Sequence, residues 1–450
     1  MRLPSDLSAE MRRILSLAWP VALTSLNWTI LHVTDVVVVG FTGTEQVAAL
    51  GASRALTFPG IVMGLGALTG VLVHVSRADG AKDLPGTGRA LHQGILLAVA
   101  LGLLSALLLF AFAEPMLLGI GVAADVAPLA AEVVRVMALA YPFQLLIIAA
   151  SFFLEGVSRP QRVTVVTLAI LPVNALLAWA LSAGHLGLPA MGATGAALAT
   201  TIASALGAAG MIGAAWTLPR ARQRGVHDLT HLFSRDSLTG ALGLAKFGLV
   251  PAIASGLELV GFSILIALST ELGDVTTHAF QIVFSIHNVT FSVALGLGSA
   301  AGVRVGNAVG EGAPQAAGRR AAIAAALAAL ATGLLAILLV LIPHPFVALF
   351  PAVHEVQRLA LVMLPVWAPF ILFDGVQVVF VYALRSIGDQ VVAGINSVIA
   401  FFLVTGGAGL LLVRELDLGA TGLALASGLG MVVAATLHGT RLWWVSRRFR

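Results

Sequence analysis

Uninterrupted apolar runs of eighteen or more residues recur along the whole chain and constrain its fold more than any other feature. As an α-helix, each run is long enough to cross the ~30 Å hydrocarbon core of a bilayer. Because lipid offers no partners for backbone N–H and C=O groups, membrane-spanning segments must be helices or a closed β-barrel. The runs are continuous and rich in Ala, Leu and Gly rather than alternating, which favours helices. The sequence therefore predicts an all-α polytopic membrane protein.

The composition excludes a water-soluble globular protein. Only 10% of the 450 residues are charged, whereas soluble domains carry about 25%. The chain has no cysteine, which excludes disulfides, thiolate chemistry and cysteine-ligated metal. The first apolar segment is longer than the apolar core of a signal peptide and lacks a small-x-small cleavage pattern, so we expect it to be a membrane span.

Hydropathy predicts twelve spans. They run at about 14–40, 46–76, 91–112, 128–155, 162–184, 192–216, 240–270, 275–305, 320–342, 357–385, 390–413 and 419–444.

The basic residues alternate between the two sides of these spans. Twenty of the 25 Lys and Arg residues fall on one side: Arg2, Arg12, Arg13, Arg77, Lys82, Arg89, Arg159, Arg162, Arg220, Arg222, Arg224, Arg235, Arg304, Arg319, Arg320, Arg385, Arg441, Arg447, Arg448 and Arg450. The other side carries only Arg358 and Arg414. By the positive-inside rule, we expect a multi-pass protein of a bacterial-type inner membrane with both termini in the cytoplasm. The isoelectric point near 10.3 thus reflects topology, and no nucleic-acid partner is expected.

The two halves of the chain repeat each other. "GLGALTGVLV" at 64–73 matches "GLGSAAGVRV" at 296–305, and "GATGAALA" at 192–199 matches "GATGLALA" at 419–426. "YPF" at 141–143 likewise matches "APF" at 368–370. These matches predict a six-helix lobe over 1–218, a basic cytoplasmic linker over 219–235 and a second six-helix lobe over 236–450. Parallel repeats of this kind imply a pseudo-two-fold axis along the membrane normal, with a substrate site between the lobes.

The glycines of the first repeat have two interpretations. "GLGALTG" looks like a phosphate-binding loop, but it lies inside an apolar span and no strand precedes it. The spacing of Gly66 and Gly70, and of Gly298 and Gly302, is that of GxxxG motifs, which let helices approach closely. We expect these glycines to serve packing.

Three acidic residues lie inside predicted spans: Asp35, Glu258 and Asp374. A charged side chain at the centre of a spanning helix costs about 2.5–3.5 kcal/mol, so acids there usually line an ion or substrate route. A structural role, as a protonated carboxyl bonded to a neighbouring helix or paired with a base, is the alternative. A carboxyl group removed from water can exchange a proton near neutral pH or bind a sodium ion. We therefore expect all three to couple transport to a cation, with Glu258 and Asp374 as candidate Na⁺ ligands.

Other polar residues inside spans are candidates for lining a substrate cavity. They are Asn27, Arg54, Asn174, Gln281, Ser285, Asn288 and Tyr382. Hydrogen bonding between helices, worth about 0.6 kcal/mol each on average, is the alternative role for Asn174, Gln281, Ser285, Asn288 and Tyr382.

Several stretches resemble the multidrug and toxic compound extrusion (MATE) family, in its NorM-type branch, over essentially all twelve spans. They are "VTDVVVVG", "PVNALLAW", "LELVGFS", "RVGNAVGEG" and "FDGVQVVFVYALRSIGD". The resemblance implies export of cationic and amphipathic compounds in exchange for Na⁺ or H⁺. It also implies that Asp35 is the coupling acid of the first lobe, that Glu258 and Asp374 are the cation-binding acids of the second, and that Asn174 falls on a family asparagine.

The chain departs from the family pattern in two places. In the eighth predicted span, Phe280 and Ser285 stand where His and Asn are expected. In the second span, Arg54 stands where a small residue is usual. A guanidinium there can pair with Asp35 and take the place of a cation. Alternatively, its side chain extends to the outer membrane surface.

The sequence therefore predicts a secondary active multidrug antiporter that works by alternating access, with Na⁺ or H⁺ as the coupling ion and no other cofactor. Its expected partners are amphipathic small molecules and the lipid bilayer, and we expect a monomer. A lipid-linked oligosaccharide flippase of the same superfamily is the alternative. A membrane-embedded enzyme is disfavoured, because no nucleophile, base and oxyanion donor come together in the sequence.

Overall fold

A computed structural model describes residues 5–230 and 232–447, and every regular element in these ranges is helical. The α-helices are α1 Ser5–Gly40, α2 Thr44–Gly80, α3 Leu84–Gly119, α4 Ala127–Ala138, α5 Tyr141–Gly156, α6 Pro160–Ala183, α7 Gly192–Trp216, α8 Arg235–Glu271, α9 Asp274–Gly310, α10 Pro314–Leu341, α11 Pro343–Ala348, α12 His354–Trp367, α13 Ile371–Ile387, α14 Gln390–Ser397, α15 Gly406–Leu410 and α16 Gly419–Arg447. Short 3₁₀ turns occupy His185–Gly187 and Ala368–Phe370, and π-helical turns occupy Val398–Thr405 and Leu411–Glu415. Arg2, Arg448 and Arg450, which entered the charge pattern, lie outside the described residues.

The predicted all-α membrane fold is confirmed. Within the described residues, eleven helical segments are long and apolar enough to cross a bilayer, or twelve if one bent pair is a single span. That pair is α4 and α5, which meet at 46° and correspond to the fourth predicted span.

The third repeat motif lies where a span is interrupted in each half. "YPF" begins α5 directly after the bend, and "APF" forms the 3₁₀ turn between α12 and α13. Proline has no N–H to donate and its ring crowds the preceding turn, so it favours a helix start or a break. The motif therefore repeats for a structural reason.

The GxxxG glycines serve packing, as expected. A Cβ on Gly66 would lie 2.7 Å from the carbonyl oxygen of Pro251 on α8. A Cβ on Gly298 would lie 2.6 Å from Val378 Cγ1 on α13. These distances are shorter than carbon contacts allow, so only glycine permits the observed helix spacing.

Gly66→Val is expected to lower the thermal unfolding midpoint of the purified protein, because the added carbons collide with the α8 backbone. Overpacking of this kind costs about 1–3 kcal/mol. The matched control is Gly51→Val on the same helix, since a Cβ there meets nothing within 4 Å. Equal midpoints for the two variants would contradict the packing role.

The chain forms two compact units. Unit 1 contains the described residues up to Ser25, Gly80–Lys82 and those from Ile253 onward; unit 2 contains Leu26–Asp79 and Asp83–Ala252. Helix α1 thus begins in unit 1 and ends in unit 2, and α8 begins in unit 2 and ends in unit 1. The units differ from the halves 1–218 and 236–450 at these two helices, because a repeat is counted along the sequence whereas a unit is defined by contacts in space.

Candidate functional site

Asp35 is the centre of a polar cluster inside unit 2. It lies on α1, only 4% exposed. Its Oδ1 accepts a hydrogen bond from Asn174 Nδ2 on α6 at 3.1 Å, and its Oδ2 accepts one from Arg54 Nη2 on α2 at 3.2 Å. Thr200 on α7 lies near this carboxylate, with its hydroxyl directed at it as a donor. Four helices therefore hold one buried carboxylate whose charge is balanced by a guanidinium.

The pairing of Arg54 with Asp35, one of two alternatives from the sequence, is the arrangement found. Helices α1 and α2 are joined by only three residues, 41–43, so they run next to each other in opposite directions. Asp35 lies five residues before the end of α1 and Arg54 ten residues after the start of α2, about 7.5 Å farther from the turn along its helix. The long Arg54 side chain leans toward the N-terminus of α2, and so toward the turn and Asp35. The Arg54 side chain is 22% exposed and this is its one hydrogen bond within the described part of the chain.

An aromatic group adjoins the Asp35–Arg54 pair. His32 precedes Asp35 by one helical turn and lies close enough to Arg54 for their charges to interact. Its ring contacts those of Trp28 and Phe58, with centroids 6.4 and 6.2 Å away. His32 Nδ1 is buried and has no hydrogen-bond partner among the described residues. Trp28 and His32 are already neighbours at i and i+4 on α1, whereas Phe58 joins them only when α2 packs against α1.

A second polar cluster lies inside unit 1, around Asp374 on α13. Asp374 is 3% exposed, and its Oδ1 accepts a hydrogen bond from Gln377 Nε2 at 3.0 Å. Its Oδ2 lies 3.6 Å from Nε2 of His287 on α9, which is an ion pair when the imidazole is protonated. The His287 ring in turn packs against that of Trp367, with centroids 5.5 Å apart.

Glu258 on α8 belongs to the same group of charges. It interacts electrostatically with Asp374 and with Arg385. The Arg385 guanidinium lies 5.8 Å from the centre of the Tyr382 ring, and the residue is only 8% exposed. The charge pattern placed Arg385 on the cytoplasmic side, at the end of the tenth predicted span; it lies in the last turn of α13, where the structure buries it.

The remaining predicted cavity residues lie elsewhere. Asn27, in unit 2, donates from Nδ2 to the Thr167 carbonyl at 3.4 Å. Gln281, Ser285 and Asn288 share one face of α9 that is exposed or half-buried. Ser285 Oγ donates to the Gln281 carbonyl of its own helix at 2.7 Å. None of these three has a side-chain hydrogen bond to Asp374 in the described residues.

His287 is the site residue that the sequence analysis missed. It lies 87 positions before Asp374 in the chain, and it is one of eleven histidines without metal-ligand spacing. Helical periodicity gives no signal either, because His287 lies about 100° around α9 from Asn288 and about 160° from Ser285, away from the face that they share. No group of three or more His, Asp and Glu side chains able to hold a metal ion occurs within residues 5–230 and 232–447.

Comparisons with known proteins identify the family. A sequence model of the MatE family matches residues 20–180 and 251–406. A protein named probable multidrug resistance protein NorM, from Mesorhizobium japonicum, is 31% identical over 99% of this chain and 96% of its own length. A protein of the same name from Burkholderia pseudomallei is 32% identical over 95% of this chain and 92% of its own. The crystal structure of the eukaryotic MATE transporter AtDTX14 shares the fold, with a TM-score of 0.87 at 20% identity over 99% of both chains.

The family match covers more than two thirds of the chain and includes most of the residues of both clusters, and the relatives are matched over nearly their full lengths. The resemblance found in the sequence is thereby confirmed: this multi-pass membrane protein belongs to the MatE family, the multidrug and toxic compound extrusion transporters.

Proposed function

We propose that the protein is a secondary active antiporter that exports amphipathic compounds in exchange for Na⁺ or H⁺ by alternating access. Its proposed setting is the inner membrane, with both termini cytoplasmic, and it acts as a monomer without chemistry on its substrate. The observation that carries the proposal is the Asp374 cluster, in which two acids, a histidine and an arginine interact in the interior of unit 1.

Cation binding at this cluster is favoured by its charges. Burying ionised groups away from water is costly unless they are paired, and here Glu258 and Asp374 also repel one another. A proton or a sodium ion bound at either acid relieves that repulsion. A ligand shifts a two-state equilibrium only by its different affinity for the two states. Binding of one elementary charge at these acids can therefore favour one conformation of the transporter over the other.

The acids have different neighbours, which suggests different roles. Asp374 is held by Gln377 and faces His287, so its orientation is fixed. Glu258 has no hydrogen bond of its own within the described ranges and interacts through charge alone. We assign the first encounter with the coupling ion to Glu258 and the retention of that ion to Asp374.

Reconstituted proteoliposomes test the function and identify the ion. A sodium gradient and a proton gradient are imposed separately, and uptake of a fluorescent amphipathic cation is followed. We expect one gradient to drive accumulation and the other to have little effect. Accumulation under neither gradient would refute the antiporter. Movement of a lipid-linked oligosaccharide instead of the cation would favour the flippase that the sequence left as an alternative.

A further inference from the structure

We infer that Arg54 makes the polar cluster of unit 2 a binding site for the anionic end of an aromatic amphiphile, such as an aromatic carboxylate or zwitterion. The inference rests on the proposed transport function and names a substrate class for it. It depends on three features of the described structure: a guanidinium with unused donors, a carboxylate that is already neutralised, and a group of aromatic rings on the same two helices.

The guanidinium is only partly used. Arginine carries five N–H donors in a planar fork, which suits it to bind carboxylates along two edges. Arg54 makes one hydrogen bond within the described residues, to Asp35, and keeps 22% of its side chain exposed. Hydrocarbon cannot satisfy the remaining donors, so the exposed part of the fork requires water or a polar ligand.

The charge of Asp35 is not available to a second cation. Arg54 already balances it, and Asn174 donates a hydrogen bond to its other oxygen. A cationic substrate must displace Arg54 before it gains from Asp35, and it is repelled by the guanidinium as it approaches. A carboxylate meets no such barrier, because it can bind the free edge of Arg54 while the other edge stays on Asp35.

The aromatic side chains supply the apolar part of the site. Trp28 and Phe58 both contact the His32 ring, with centroids 6.4 and 6.2 Å from it, and Phe58 is 46% exposed. Ligand sites typically combine aromatic walls with a few polar groups that fix orientation. Here Arg54 fixes the anionic end, and the unpartnered His32 Nδ1 offers a second polar contact.

The test compares three probes that share one ring system: 1-naphthaleneacetate, its methyl ester and 1-naphthylmethylammonium. Their dissociation constants are measured by calorimetry with the full-length protein in lipid nanodiscs, without any gradient. We expect the wild-type protein to bind the carboxylate at least about tenfold more tightly than the ester, as one charge-assisted contact provides. Arg54→Gln should abolish that preference, and Arg54→Lys should retain part of it.

Arg162→Gln is the matched control, because it removes another unit 2 arginine whose guanidinium binds the end of α7 at Ala214 and Thr217. Its probe preference should equal that of the wild type. If Arg54→Gln does not fold, the wild-type preference and Arg54→Lys still decide the matter. The inference is overturned if the wild type binds the three probes equally, or if Arg54→Gln keeps the carboxylate preference. The binding measurement uses no gradient, so it is independent of the transport assay. If neither gradient drives transport but the carboxylate preference persists, the antiporter proposal is refuted and the anion site is retained.

Discussion

In proteoliposomes that carry the driving cation gradient, the Asp374→Asn protein is expected to accumulate substrate no better than the wild type without a gradient. Asparagine keeps the shape of aspartate and still accepts the Gln377 hydrogen bond, but it can neither bind a proton nor hold a cation by charge. Coupling between two sites typically amounts to about 1–3 kcal/mol, so about a 5–150-fold loss of gradient-driven accumulation is the expected scale. Glu258→Gln should act in the same direction.

Asp274→Asn provides the control for this loss, since it makes the same change at an exposed position in the first turn of α9. It should leave accumulation unchanged. Substrate exchange without a gradient, measured on the same vesicles, separates lost coupling from lost folding. Full gradient-driven transport by both Asp374→Asn and Glu258→Gln would show that the coupling assignment is wrong.

Glu10→Ala is expected to destabilise the protein strongly. Glu10 on α1 accepts two hydrogen bonds from Arg304 on α9, at 2.6 Å from Nε and 2.7 Å from Nη2, inside unit 1. The Arg304 side chain is 9% exposed, so truncating Glu10 leaves a buried guanidinium whose remaining side-chain partner, among residues 5–230 and 232–447, is Asn307. Breaking a buried pair on one side costs about 3–5 kcal/mol, and Asn307 places the expected loss near 3 kcal/mol.

The measurement is the unfolding midpoint of the purified protein in one detergent. Glu271→Ala is the matched comparison, because the Arg414–Glu271 pair has the same chemistry but both side chains are about half exposed. Exposed ion pairs contribute little to the free energy of unfolding, since water solvates each charge when its partner is removed. A Glu10→Ala midpoint as high as that of Glu271→Ala would show that the buried pair does not hold α1 against α9.

The spans were predictable because membrane insertion acts on short stretches of sequence. Each span must bury its own backbone polar groups in helical hydrogen bonds, so its length and hydropathy are visible locally. The bend between α4 and α5 falls at Pro142, one of several prolines inside predicted spans that can bend a helix. The sequence did not show which of them interrupts its span, since proline also begins many straight helices.

The acids were predictable for a related reason. A carboxylate in an apolar run is costly wherever it lies, which is why Asp35, Glu258 and Asp374 stood out. Their partners did not stand out, because His287 and Arg385 have ordinary surroundings in the sequence. The packing of α9 against α13 brings His287 to Asp374, and Arg385 belongs to the cluster through its charge interaction with Glu258 on α8.

By itself, the sequence determined that this chain is a polytopic helical membrane protein with an internal repeat and acids in its spans, because hydropathy, charge bias and repetition are properties of consecutive residues. The tertiary structure alone decided what the acids contact. Whether the Arg54 side chain extends to the membrane surface or to Asp35 depends on how α2 packs against α1. In the structure Arg54 Nη2 lies 3.2 Å from Asp35 Oδ2. A contact between two helices depends on the distance between them and on their rotation about their axes, and the sequence of one helix determines neither quantity.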